Sequence, residues 1–319
     1  MSLLYPEIID VIIEDIAADM RSEIRGWLNG PIDHDISAPH TPKSEETITT
    51  RAVLMKCSLI SKAWYFRAGK YIWRTITVDG RHSESVTGLV DFLAERPDIV
   101  TLIKHVDLRA SWDDHALASE CIDGLSRIIS PVATISLIYS PKSEERYYRW
   151  DNSFKLPHHP FLSTLTLPST LNNLTSLHYE GEIFPIMLLE HTPNLRDLSL
   201  QGAMHSDVRK QSYLRAFDKP VSDAKLSFRL DRAHFGKLDQ KLLAELVKHH
   251  PKVFSQLKEL YFADFLQNYE AQQYRSPKDL PSLTLLMLAR NTLETLAVGL
   301  NRVPRFSMYS HYSFKSHEK

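Results

Sequence analysis

Apolar positions near the start of the chain follow a helical rhythm. Ile8, Ile9, Ile12, Ile13 and Ile16 fall on one stripe, and Glu7, Asp10, Glu14 and Asp15 take the other side. Pro6 suits the first helical position, where its missing N–H would have no intrahelical partner. Residues 21–50 break the rhythm with Gly26, Gly30, Pro31, Pro39 and Pro42 and read as a long exposed loop. A second helical stretch begins near Thr50, with Val53, Leu54, Cys57, Leu59, Ile60 and Ala63 as its apolar positions. The β-branched run Thr75-Ile76-Thr77-Val78 then opens something new.

From that point the period shortens. Strand-like pieces are expected at 103–108, 133–138, 162–167, 174–179, 195–200, 226–230, 257–262, 283–288 and 293–298. Several share the pattern Leu-x-x-Leu-x-apolar, as in Leu162/Leu165/Leu167, Leu174/Leu177/Tyr179 and Leu195/Leu198/Leu200. Physically, a turn tucks one leucine inward and a short strand follows with alternate residues facing a shared core. Helical patterns at 86–95, 117–129 and 240–250 lie between strands. Strand and helix alternating roughly every 20 to 30 residues predicts an α/β chain built as an irregular leucine-rich-repeat-like solenoid. Two pairs of motifs stand only about ten residues apart, so turns or hairpins are expected among them, and an ordinary mixed α/β domain is the alternative.

Composition narrows the functional classes. The chain has 319 residues, with 38 basic and 39 acidic side chains and a formal net charge of −1. A basic stripe for nucleic acid is missing, so no nucleic-acid partner is expected. Two cysteines, Cys57 and Cys121, form no metal-ligand pattern, which predicts no metal and a reducing compartment, cytoplasmic or nuclear. No secretory leader and no membrane span are expected. Catalytic signatures are absent, and only 10 glycines are available for phosphate-cradling loops, so the reading is not an enzyme and no cofactor. His158-His159 and His249-His250 read as surface histidines and Asp113-Asp114-His115 as a solvated loop. Arg146 to Trp150 could stack bases, but equally could mark a protein contact or a packed hairpin.

Three segments carry a resemblance to a known family. Leu4-Tyr5-Pro6-Glu7-Ile8-Ile9-Asp10-Val11-Ile12-Ile13 resembles the opening and first helix of the F-box module, in the style of fungal F-box-like proteins. The middle piece runs from Leu54 through Cys57-Ser58-Leu59-Ile60 to Trp64, and the closing piece from Tyr71 to Val78. Tyr5 stands where the family has a proline, and the loop between the first two pieces is unusually long. The resemblance implies a small N-terminal helical F-box bundle at 1–76, with 21–50 as a loop insertion. A repeat-like substrate-binding domain would then occupy 77–319. It further implies a Skp1-like adaptor partner, a cullin joined through it, and a protein substrate marked for ubiquitin-dependent degradation.

The docking residues carried over from that resemblance are Leu4, Pro6, Ile8, Ile9, Ile12, Leu59, Ile60 and Trp64. So many isoleucines on one short helix exceed what a single stripe can bury, so the surplus packs either on a partner or on the rest of the chain. Ile13 and Ile16 are assigned to core, Trp64 fits interface and core equally, and Trp73 is placed at the junction with the following domain. Candidate target-binding positions on exposed strand faces are Ser136, Thr166, His178, Ser199, Tyr261 and Met287. The alternative is a non-catalytic scaffold whose F-box-like region is only an N-terminal cap.

Overall fold

The computed structural model describes residues 5–18, 45–80, 83–111, 119–140, 161, 165, 168–180, 184–202, 229–236, 238–263 and 281–299. Pro6 does start a helix, α1 (Pro6–Ile16), after an extended Tyr5. Helix α2 (Glu45–Ser58) reaches back into the stretch expected to be loop, and α3 (Lys62–Ile72) follows. Ser61 caps α3 by accepting from the Trp64 N–H at 3.5 Å. Ile9, Ile13, Ala17, Leu54, Trp64, Ala68 and Ile72 form a small core among these three helices.

The rest is organised by one sheet. Its strands are β1 (Thr75–Asp79), β2 (His105–Ser111), β3 (Thr134–Ser140), β4 (Ser176–Glu180), β5 (Asp197–Gln201), β6 (Arg232–Gly236), β7 (Glu259–Ala263) and β8 (Thr295–Gly299). They stand in sequence order, and every neighbouring pair is parallel. Helices α4 (Ser83–Glu95), α5 (Pro97–Val100), α6 (Ser119–Ile129), α7 (Pro168–Asn173), α8 (Gln240–His249), α9 (Pro251–Phe254) and α10 (Pro281–Ala289), with a 3-10 helix at Ile186–His191, fall in the connections.

Register is set at the strand entrances. In six strands, the first residue and the one before it both donate their N–H to a single carbonyl, that of the residue just before the preceding strand. Lys104 and His105 donate to Arg74 O at 2.9 and 3.0 Å, and Thr175 and Ser176 to Ala133 O at 2.8 and 3.0 Å. Arg196/Asp197, Asp231/Arg232, Lys258/Glu259 and Glu294/Thr295 repeat the device on Thr175, Arg196, Asp231 and Lys258. Two residues ahead of each strand from β2 to β7 stands a buried apolar side chain: Ile103, Val132, Leu174, Leu195, Leu230 and Leu257. In β2, β4, β5, β6 and β7 one hydrophobic anchor and one shared carbonyl together hold the strand in phase with the last.

Unshifted register lines the side chains into rows. Ile76, Val106, Ile135, Leu177, Leu198, Ala233 and Leu260 form one apolar row. Val78, Leu108, Leu137, Tyr179, Leu200, Phe235 and Phe262 form the next, and all fourteen are buried. Against these rows pack Val86 and Leu93 of α4, Leu125 and Ile129 of α6, Leu242 and Leu246 of α8, and Leu285 of α10. The alternate residues of each strand lie on the opposite, polar face. An all-parallel sheet usually has both faces covered and reads as continuous apolar runs; here the alternation is that of a sheet with one apolar face.

These findings correct the expected architecture. A helical F-box bundle followed by an irregular leucine-rich-repeat-like solenoid is replaced by an α/β fold with a single eight-stranded all-parallel sheet and ten α-helices among the described residues. Crowded leucine motifs suggested broken repeats and hairpins, but every described strand pair is parallel, and the ladder runs without interruption. The segment 283–288 lies in α10, not in a strand. Pro281 begins that helix, Leu285 and Ala289 bury, and Leu283 and Met287 face outward. Of the strand expected at 226–230 only Arg229 and Leu230 are described, and neither is in a strand; β6 begins at Arg232, with Leu230 as its anchor. Of 162–167, only Leu165 is described, and it is buried in the core.

Two side chains report on this packing. A Cβ at Gly124 of α6 would run into Cγ1 of Val90 on α4. Alanine's helix preference over glycine, about 1 kcal/mol, opposes an overpacking cost of about 1–3 kcal/mol, and the rigid valine lets the second dominate. Gly124→Ala is expected to lower the urea midpoint, and adding Val90→Ala to restore much of it. His250 joins α8 to α9, and burial, then the neighbouring His249 charge, lowers its pKa to about 4. The unfolded chain binds that proton near 6.5, so stability is full above pH 6.5 and falls as the pH drops toward 4. The loss amounts to about 3 kcal/mol. Urea unfolding at pH 7.5 and 5 is expected to show that slope, and His250→Gln to flatten it.

Candidate functional surfaces

Among the described residues, exposed apolar side chains are concentrated in the N-terminal helices: of thirteen large hydrophobic residues standing exposed, nine lie between positions 5 and 66, namely Tyr5, Ile8, Val11, Val53, Met55, Leu59, Ile60, Tyr65 and Phe66. The most exposed of them is Leu59 at 84%, beside Ile60 at 62%. These two form the turn between α2 and α3, and the turn is pinned. Leu59 N–H donates to Lys56 O and Ile60 N–H to Cys57 O, both at 3.1 Å, and the Ser58 hydroxyl donates to Met55 O at 2.6 Å. Burying one such side chain would contribute roughly 1.5–3 kcal/mol, so a fixed backbone is holding them in water at a cost.

Helix α1 is oriented by its polar side. Asp10 accepts from Arg67 Nε at 2.7 Å, and Tyr71 of α3 donates to Glu14 at 3.4 Å. With those contacts made, Ile9 and Ile13 point into the small core, Ile12 and Ile16 are half-buried, and Ile8 and Val11 face outward.

The expected docking residues therefore divide. Pro6, Ile8, Leu59 and Ile60 are exposed. Ile9, at 5% exposure, and Trp64, at 9%, serve the chain's own core, and Ile12 packs against its edge. Helical spacing puts Ile8, Ile9 and Ile12 on one broad stripe, and only the packing of α1 on α3 separates them. Leu4 lies outside the described residues. Val11, Met55 and Phe66 are also exposed, though none is among the expected docking residues. Their exposure follows from lying off the Ile9/Ile13 and Leu54 faces.

Trp73 touches both cores and stacks on Phe92 of α4 with ring centroids 5.6 Å apart. Arg96 reinforces the junction by donating to the Tyr65 hydroxyl at 3.2 Å.

The polar face of the sheet is the second surface. His105 Nε2 lies 2.5 Å from Asp107 Oδ1 and 3.1 Å from Ser136 Oγ. Arg109 stands 3.8 Å from the other Asp107 oxygen. Burial raises the Asp107 pKa, but the His105 hydrogen bond and charge, then Arg109 and Ser136, hold it below the usual carboxylate value. A Ser–His–Asp relay needs hydroxyl and carboxylate on different ring nitrogens; here both meet Nε2, so this trio cannot pass a proton along. Further across, Arg232 forks onto both Asp197 oxygens at 2.7 Å, and these bonds hold its pKa above the ordinary value. Burial lowers the His234 pKa. The Tyr261 phenol donates to Glu259 at 3.3 Å, and its pKa is raised by burial and then by the Glu259 charge.

Alternation placed Ser136, His178, Ser199 and Tyr261 on this face, and register does set them in one row. Exposure was the wrong expectation for three of them: Ser136, His178 and Ser199 are buried, and Ser199 bonds His178 Nδ1 at 2.8 Å. Tyr261 is half-buried, and Met287 is exposed on α10 instead of a strand. Thr166 lies outside the described residues. Of the charged members of this face, Asp107, Arg109, Asp197 and Arg232, only Asp197 lies two residues from a named position, Ser199.

His249 is exposed and bonded to Glu245 at 2.9 Å, but His250 is buried, contrary to the surface reading of that pair. His158-His159, Asp113-Asp114-His115 and Arg146 to Trp150 lie outside the described residues. Among the described residues no group of His, Cys, Asp and Glu could hold a metal ion, and no helix is long and apolar enough to cross a membrane.

Replacing Asp107 by asparagine tests the network. Asp107→Asn is expected to lower the unfolding free energy at pH 7 by about 1–3 kcal/mol. Because the folded carboxyl is held below its ordinary value of 3.8, its contribution is present above that pH and lost below it. The gap between the two proteins, read by urea titration, therefore narrows in acid.

Comparison with protein-family models, with curated proteins and with solved structures finds no match for this chain.

Proposed function

We propose that this protein is a non-catalytic docking adaptor. Its N-terminal helices grip a Skp1-like partner, and through it a cullin, while the sheet domain holds a protein target for ubiquitination. The observation that carries the reading is the pinned, solvent-exposed Leu59–Ile60 turn, with Ile8 and Val11 exposed on α1. Apolar groups held rigidly in water gain most when a partner covers them, because the ordering cost has already been met in the free chain. The residues bearing the F-box resemblance supply this surface, which is why a Skp1-like protein is the partner named. The target is assigned to the polar sheet face, whose charged side chains stand on a stiff backbone.

The test is direct binding to a purified Skp1-like protein. The full chain is expected to bind, and the combined change Ile8→Asp, Leu59→Asp and Ile60→Asp to weaken binding at least tenfold, about 1.4 kcal/mol or more. Its thermal midpoint should stay close to that of the parent, because all three side chains are exposed. A parent chain that does not bind overturns the proposal.

A second reading has its own support: the same helices cap the β1 end of the sheet. Trp73 packs against both the small helical core and the sheet core, and it stacks on Phe92. Removing residues 1–74 distinguishes the two. Loss of the sheet's cooperative unfolding marks a cap, whereas a folded remainder unable to bind the partner marks a detachable docking unit.

A further inference from the structure

We draw no further inference here: the strongest candidate, the apolar edge of the sheet at β8 where Leu296 stands 47% exposed, carries nothing because no feature of the structure shows what covers it.

Discussion

Six of the eight strands are held to their neighbour by one carbonyl that takes two consecutive N–H groups, and the rest of the architecture depends on that clamp. The acceptor residue precedes one strand and the donors open the next, so the register is fixed where the chain enters the sheet. Because the side-chain period of a strand is two, a one-residue slip would exchange its apolar and polar faces. The buried anchor two residues ahead of each strand from β2 to β7 opposes such a slip, since moving it would lift a leucine, isoleucine or valine out of the core. The clamp and the anchor together allow eight strands to share a single pair of faces.

One consequence is that the two faces of the sheet differ in character. The helices after β1 whose burial is described pack into the apolar rows, and polar side chains on the other face pair laterally. His105, Asp107 and Ser136 do so, and so do Asp197 and Arg232. Lateral pairing stiffens these side chains and lowers the entropy they would lose on meeting a partner. Among the described residues, most of the exposed large apolar side chains stand apart from that face, on the N-terminal helices. Trp73 belongs to both cores, so the N-terminal helices and the sheet share a packing contact as well as a covalent link.

Much of this was legible locally. The α1 stripe, the β-branched start of β1, and the inward leucines Leu174, Leu195 and Leu257 ahead of β4, β5 and β7 follow from spacing alone. Six of the nine strand segments expected after β1 coincide with observed strands to within about two residues, the uncertainty natural to element ends. Segment 283–288 misled because leucines in succession suit a buried helix as well as a strand. Beginning at Pro281 and burying Leu285 and Ala289, it joins α8 on the apolar side as a helix. Strand β6 was misplaced because its own residues, Arg-Ala-His-Phe-Gly, carry no leucine pattern. It is held as a strand by β5 and β7.

What the amino-acid order determined by itself was which residues share a face: the isoleucines of α1, the alternating rows of the strands, the anchor at each strand entrance. These depend on the fixed geometry of helix and strand and need no distant contact. What only the tertiary structure decided was which shared face is covered. Ile9 and Trp64 turned inward while Ile8 and Leu59 remained outside, and Ser136 and Ser199 were buried although they lie on the polar side. Burial is a property of contacts between residues far apart in the chain, and periodicity carries no information about what arrives from elsewhere to make them.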